Sequence, residues 1–338
     1  MNEEGKFSDR SPFASSLLIP SAAGRFQILA LDGGGYKGMF SAAVLAAIEE
    51  DLSTRVADHF DLITGTSTGG IIALGLGAGL RPIEIVEFYA RRGPEIFADS
   101  GWQKVRRLFT PKYDPRKLSS ALSGVFGEKT LGDSYKRLVI PAYNLRSDEV
   151  YIFKTPHHER LRRDWRERMT DVGTSTAAAP TYFPAHSHRG LRLVDGGVWA
   201  NNPVMVGIAE AVSVCGANLE SLRVFSLGTT TDLRQRSERL DSGGIIQWAT
   251  SAVDVVMRGQ SVGANNTARH LLGDDHILRL DPMVPAGLLG LDRVQTDELL
   301  GRARAASRQL MPMFEQRFCK HGAPQFAPLY PTRQEVAQ

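Results

Sequence analysis

Three short stretches hold the residue types that ester chemistry needs. In Gly65-Thr66-Ser67-Thr68-Gly69 one serine is fenced by glycines between two apolar runs. A nucleophilic hydroxyl must stand clear of its own backbone, with amide hydrogens aimed at the oxyanion it creates, and a sharp strand-to-helix turn gives both. Gly65 and Gly69 let the strand and the helix pass, and the Thr68 amide at the positive end of the helix faces an incoming carbonyl. The second stretch, Gly33-Gly34-Gly35-Tyr36-Lys37-Gly38, offers consecutive backbone donors. Gly33, Gly34 and Gly35 are read as an oxyanion hole opposite Ser67, with Lys37 adding positive charge. The third, Leu191 to Gly197, is a strand ending in Asp195 and followed by the pair Gly196-Gly197. An aspartate at the carboxyl end of a strand in the same sheet lies along the edge where Ser67 sits. Burial would raise its proton affinity enough for it to accept the serine proton.

Other readings of these residues stay open at this level. Gly33 to Gly38 fits G-x-G-x-x-G, a dinucleotide fingerprint, but the acidic residues at the right distance, Glu49, Glu50 and Asp51, fall in or at the end of a helix. An ordinary α/β-hydrolase would want a histidine after the aspartate, for which His270, His276 and His321 are candidates. His186 and His188 precede it.

The elements that must position these stretches alternate. Phe26 to Leu31 reads as a strand, Met39 to Glu50 as a helix, Phe60 to Thr64 as a strand, and Gly70 to Ala78 and Pro82 to Tyr89 as helices. Further strands are predicted over Leu138 to Tyr143, Val150 to Lys154, Leu191 to Val194 and Leu222 to Leu227. Strand and helix in alternation imply an α/β fold with a mostly parallel sheet covered on both faces. Residues 93 to 130 look like an insertion or cap, and helical pieces are predicted over Ile245 to Met257 and Asp297 to Gln316.

Composition excludes several classes. Two cysteines, Cys215 and Cys319, far apart and without neighbouring metal-type ligands, suggest neither a disulfide framework nor a zinc site, and fit a reducing cytoplasm. No stretch approaches the roughly 18 apolar residues of a spanning helix, so a soluble protein is expected, with residues 1 to 24 a tail. The net charge of +3 is compatible with a phosphate-rich partner without requiring one. Trp102, Val105, Leu108 and Phe109 recur at helix-like spacing among Lys104, Arg106 and Arg107, the pattern of a basic amphipathic membrane contact or of an ordinary packed surface helix.

In order, Asp32-Gly-Gly-Gly-Tyr-Lys-Gly38, Gly65-Thr-Ser-Thr-Gly69 and Asp195-Gly-Gly197 resemble the three motifs of patatin-like phospholipases. Thr176 to Pro184, Asn201-Asn202-Pro203 and Ser226 to Thr229 are secondary matches. The resemblance implies a patatin-like three-layer α/β/α fold with a nucleophile elbow, a catalytic core over residues 25 to 232 and a C-terminal helical region over 233 to 338, packed on the core and open to a regulatory role. It implies a Ser67-Asp195 dyad acting on fatty-acyl esters, with no histidine and no metal. Where the family usually has arginine this chain has Lys37, which keeps the charge and loses the planar fork. The start of the chain is also similar to the phospholipase effectors of CBASS anti-phage systems. That implies a 3′,3′-cyclic dinucleotide (cGAMP-like) activator, membrane phospholipid as substrate at the inner face of the membrane, no DNA or RNA partner, and a possible homo-oligomer.

Overall fold

A computed structural model describes residues 24–97, 111–233, 238–244, 248, 252–285 and 296–330. The Trp102 to Phe109 stretch, the tail over residues 1 to 23 and part of the helix expected from Ile245 lie outside them.

In chain order the strands are β1 (Phe26–Leu31), β2 (Leu62–Gly65), β3 (Arg137–Asn144), β4 (Glu149–Lys154), β5 (His186–His188), β6 (Leu191–Asp195), β7 (Leu222–Leu227), β8 (Thr231–Leu233), β9 (Ile277–Leu280) and β10 (Met283–Pro285). The helices are α1 (Gly38–Leu52), α2 (Thr68–Gly77), α3 (Pro82–Ile96), α4 (Pro115–Phe126), α5 (Met169–Thr176), α6 (Gly197–Ala200), α7 (Val204–Ser213), α8 (Ala252–Leu272) and α9 (Thr296–Phe318).

β1, β2, β3, β7 and β9 run parallel, with β1 at the centre between β2 and β7. Successive side chains of a strand point to opposite faces, and both faces of β1 are covered. Leu29 and Leu31 face a core built from α1, α2, α3 and α9, whereas Ile28 and Ala30 face a second core with Val204 and Ile208 of α7 and Ala268 of α8. This is the three-layer α/β/α arrangement, and it explains why Ile28 to Leu31 is apolar throughout instead of alternating. The C-terminal part of the chain enters both layers. β9 extends the sheet beside β7, and Phe314 and Phe318 of α9 pack on Phe60 and Phe225 at centroid separations of 5.3 to 6.3 Å.

The region expected to be a cap is in part ordinary helix. α3 runs on past Tyr89 to Ile96, and α4 begins at Pro115 with the Asp114 side chain accepting from the Arg116 amide at 2.9 Å, a local N-cap.

The sheet is mostly parallel, as expected, but two strands run against the parallel set, β4 and β6. β6 pairs antiparallel with β3, Asp195 standing opposite Ala142. β4 occupies one edge of β3 from Val139 to Asn144, so β2 and β6 both lie on the other edge, β2 along Arg137 to Val139 and β6 along Ala142 to Asn144. The carboxyl ends of β2 and β6 therefore approach each other head-on, with only Ile140 and Pro141 of β3 between their last pairings. Asp195 reaches the serine turn because its strand descends toward it, and not because the two strands share a direction.

Candidate active site

Ser67 follows β2 and caps α2 with φ 55° and ψ −123°, a left-handed backbone that a side chain rarely adopts. The turn is held from three sides. The Thr66 amide donates to the Leu31 carbonyl at 3.1 Å, the Thr66 hydroxyl to the Ala200 carbonyl at 2.6 Å, and the Ser67 amide to the Thr176 hydroxyl at 3.0 Å. Thr176 in turn donates to the Pro141 carbonyl at 2.6 Å, in the gap between β2 and β6. Such a strained φ persists only where its surroundings over-determine it.

The glycines have distinct tasks. A Cβ on Gly65 would stand 2.2 Å from the Gly69 carbonyl oxygen, and one on Gly69 would stand 2.2 Å from the Leu31 carbonyl oxygen. Strand, turn and helix therefore touch through backbone alone. A Cβ on Gly38 would meet Thr68 at the start of α2, and one on Gly196 would meet the Pro141 carbonyl of β3, so both positions leave no room for a side chain.

Asp195 ends β6 with 3% exposure and Ser67 is 7% exposed. The Asp195 carboxylate accepts from the Gly197 amide at 2.7 Å. Burial pushes its carboxyl up to about 6, against the opposing pull of the nearby Ser67 hydroxyl and of the Gly197 amide. A carboxylate with that proton affinity is a far better base than one at 3.8, its ordinary value. Among the described residues no histidine bears on it. His276 contacts Arg223 beside the start of β9, and His321 donates or accepts at 2.8 Å with Asp61, just before β2. Both lie at the amino-terminal edge of the parallel strands, opposite to Ser67, and His270 is exposed on α8.

The glycine loop departs from the expectation in two details. The Gly33 amide donates to the Asn201 carbonyl at 3.0 Å and is not free for an oxyanion. The Lys37 ammonium donates to the Thr230 carbonyl at 3.2 Å, anchoring the loop to the segment after β7. The remaining donors that an oxyanion hole could draw on are the amides of Gly34, Gly35 and Thr68. Gly34 lies against Thr229, where a Cβ would stand 2.0 Å from the hydroxyl oxygen.

Residues that the sequence reading gave no role close the arrangement. Arg279 of β9 forks onto Asp32 at 2.8 and 2.6 Å, and also meets Ser226 at 2.8 Å and Asp281 at 3.1 Å. Burial opposes the guanidinium charge, but Asp32 and Asp281 outweigh it and hold the proton more firmly than usual. From α8, Ser261 accepts from the Asn201 amide group at 2.9 Å and Gln260 accepts from the Asn202 amide at 2.9 Å. Thr176 and Asn201 lie within the secondary motifs, which was a usable signal; Arg279 had none. Replacing Arg279 by Met is expected to cost about 3–5 kcal/mol in a urea melt by stranding the Asp32 charge. Adding Asp32→Asn should recover part of that loss.

Comparison with known proteins bears on the same residues. Residues 29–208 match the family described as patatin-like phospholipase, a span that takes in the Gly33 to Gly38 loop, Ser67 and Asp195. A protein of Pseudomonas aeruginosa (strain BWHPSA011 / Pa011), named cGAMP-activated phospholipase, is 35% identical over 313 residues, covering 88% of this chain and 93% of its own. One of the same name from Escherichia coli (strain TW11681) is 39% identical over 199 residues, 55% of this chain, so that the match spans only 56% of that relative. Among solved structures, VipD from Legionella pneumophila aligns with a TM-score of 0.47 and 13% identity, over 87% of this chain and 67% of that one. The match to the three motif regions, together with the likeness along most of the chain, places this protein in the patatin-like phospholipase family, whose members are hydrolases acting on lipid esters.

Proposed function

We propose that the protein is a phospholipase in which Ser67 is the nucleophile and Asp195 its base, and that a cGAMP-like cyclic dinucleotide switches it on. The observation that carries the reading is the buried Ser67 hydroxyl beside a buried Asp195 carboxyl whose proton affinity is raised.

In this reading Asp195 takes the Ser67 proton as Oγ attacks the carbonyl of a fatty-acyl ester. Negative charge gathers on the former carbonyl oxygen, facing the Gly34, Gly35 and Thr68 amides, with Gly33 and Lys37 holding the loop in shape. Collapse expels the lysophospholipid alcohol, which takes the proton back from Asp195, and an acyl-enzyme remains. Water, deprotonated by the same aspartate, then releases the fatty acid.

Activation by a cyclic dinucleotide is carried over from the relatives' names. The region from residue 233 onward is the proposed regulatory part, and residues 25 to 232 the proposed catalytic core. Support comes from α8, whose Gln260 and Ser261 hold Asn202 and Asn201 beside Gly33, so that a small shift of α8 would be felt in the glycine loop. No helix among the described residues is long and apolar enough to cross a membrane. The proposed place of action is phospholipid at the inner face of the membrane, with the protein as a peripheral homo-oligomer.

The test is fatty-acid release from phospholipid vesicles by the full chain, with and without a panel of cyclic dinucleotides. A low basal rate that rises with one nucleotide, and vanishes in Ser67→Ala, is the expected result. No release under any condition would remove the phospholipase assignment, and a rate indifferent to every nucleotide would remove the switch alone.

A further inference from the structure

A second cluster of reactive groups lies away from Ser67, between α5 and β5. His186 and His188 are two residues apart on β5, so their rings project from one face and stack at 5.9 Å between centroids. Asp171, in the first turn of α5, faces both. Its Oδ1 lies 3.5 Å from His186 Nε2 and 3.9 Å from His188 Nδ1. One donor atom from each of the three residues falls within 4.8 Å of the others. Donors about 2.1 Å from a shared ion at tetrahedral angles stand about 3.4 Å apart, so side-chain adjustments of roughly an ångström would close the set around one ion.

Two further observations point to a cation and not merely to a polar knot. His188 Nε2 is engaged by Glu167 at 2.6 Å, and Glu167 is itself held by Arg189 at 2.9 Å. A carboxylate that fixes the tautomer of a ligating imidazole from behind is the usual outer partner in metal sites, and it leaves Nδ1 facing Asp171. His186 Nε2 is enclosed, and its contact with Asp171 Oδ1 at 3.5 Å is too long and poorly aligned for a good hydrogen bond. A buried ring nitrogen so loosely held needs an explanation, and an ion supplies one. The three side chains remain 17 to 24% exposed, enough for an ion to enter.

We propose that Asp171, His186 and His188 bind one divalent transition-metal ion of the zinc class, with Glu167 as the outer-shell partner of His188. Two imidazoles and one carboxylate favour zinc or cobalt over calcium or magnesium, which prefer oxygen donors throughout. The ion is a clamp and not a reactant. It ties α5, whose Thr176 holds the Ser67 amide, to β5, which pairs with the strand ending in Asp195.

The test is a titration of chelator-treated full-length protein with Co2+, read by the visible d–d band of the tetrahedral ion. About one equivalent should bind, Zn2+ should displace it, and the band should be lost in His186→Gln and in His188→Gln. Glu167→Gln should weaken binding roughly 10- to 100-fold. No saturable band in the wild type, or wild-type binding in His186→Gln, would overturn the site. Should the histidine variants fail to fold, X-ray absorption of the Zn2+-loaded wild type decides: two imidazole ligands and an oxygen support the site, and a shell without imidazole refutes it.

Discussion

Asp195→Asn is expected to make the protein more stable at neutral pH while lowering fatty-acid release by roughly 10²- to 10⁴-fold, the share that a positioned base contributes. The stability gain follows from the proton. In the folded chain the Asp195 carboxyl sits at about 6 against an ordinary 3.8, so between those values the native state binds more protons than the unfolded chain. Stability from this group is fully present below about pH 4 and is lost as pH rises through 6. At neutral pH the buried charge costs about 3 kcal/mol, and asparagine removes that cost while still accepting from the Gly197 amide. Thermal melts of the two proteins should coincide near pH 4, separate by a few degrees as pH rises to 6, and stay parallel above it. Activity of the wild type should climb through pH 6, reaching half its maximum there and levelling off about one unit above, because only the deprotonated carboxylate can take the Ser67 proton. Replacing His270 or His276 should leave the rate unchanged; a loss there would mean that a histidine is the base after all. An Asp195→Asn protein that is less stable than wild type at pH 7 would show that the carboxylate is held in its charged form.

Gly69→Ala should do the reverse and damage both fold and activity. The new methyl would stand 2.2 Å from the Leu31 carbonyl oxygen and 2.7 Å from that of Asp32, and neither is the movable end of a side chain. β1 and the start of α2 would have to part, which destabilises by about 3 kcal/mol or more and pulls the Thr68 amide away from the glycine loop. Gly124→Ala is the matched control. It lies in α4 with nothing within 4 Å of a Cβ, and alanine there should stabilise by about 0.5–1 kcal/mol through helix propensity. Urea melts and fatty-acid release on the two variants separate a local collision from a general intolerance of added methyls.

The two side chains proposed for the chemistry were legible because their settings are. A serine between glycines, and an aspartate closing an apolar run before a glycine pair, are local patterns that survive without tertiary knowledge. Direction was not legible. Periodicity tells which residues of Leu191 to Asp195 are buried, and burial is the same for a strand entering the sheet from either end. The short β5, whose residues are His-Ser-His, has no apolar alternation to find, and it stayed invisible together with its pairing to β6. Arg279 sits in Ile-Leu-Arg-Leu, where an arginine reads as the solvent-facing member of an edge strand. Its partner Asp32 is 247 positions earlier, a separation that no window of sequence spans. The fate of the Gly33 amide was hidden for a similar reason, since its acceptor is the Asn201 carbonyl and a carbonyl carries no residue-specific signal.

The Asp32–Arg279 fork also sets a clock on the ribosome. The glycine loop is made among the first forty residues, but the arginine that grips it comes 247 positions later. Phe314 and Phe318 complete the core behind β1 later still. At about 5–20 residues per second the loop waits at least ten seconds for its clamp. A nascent chain therefore carries its glycine loop, its serine and its aspartate before the arginine that grips the loop has been made, so this contact of the folded protein can form only once most of the chain exists.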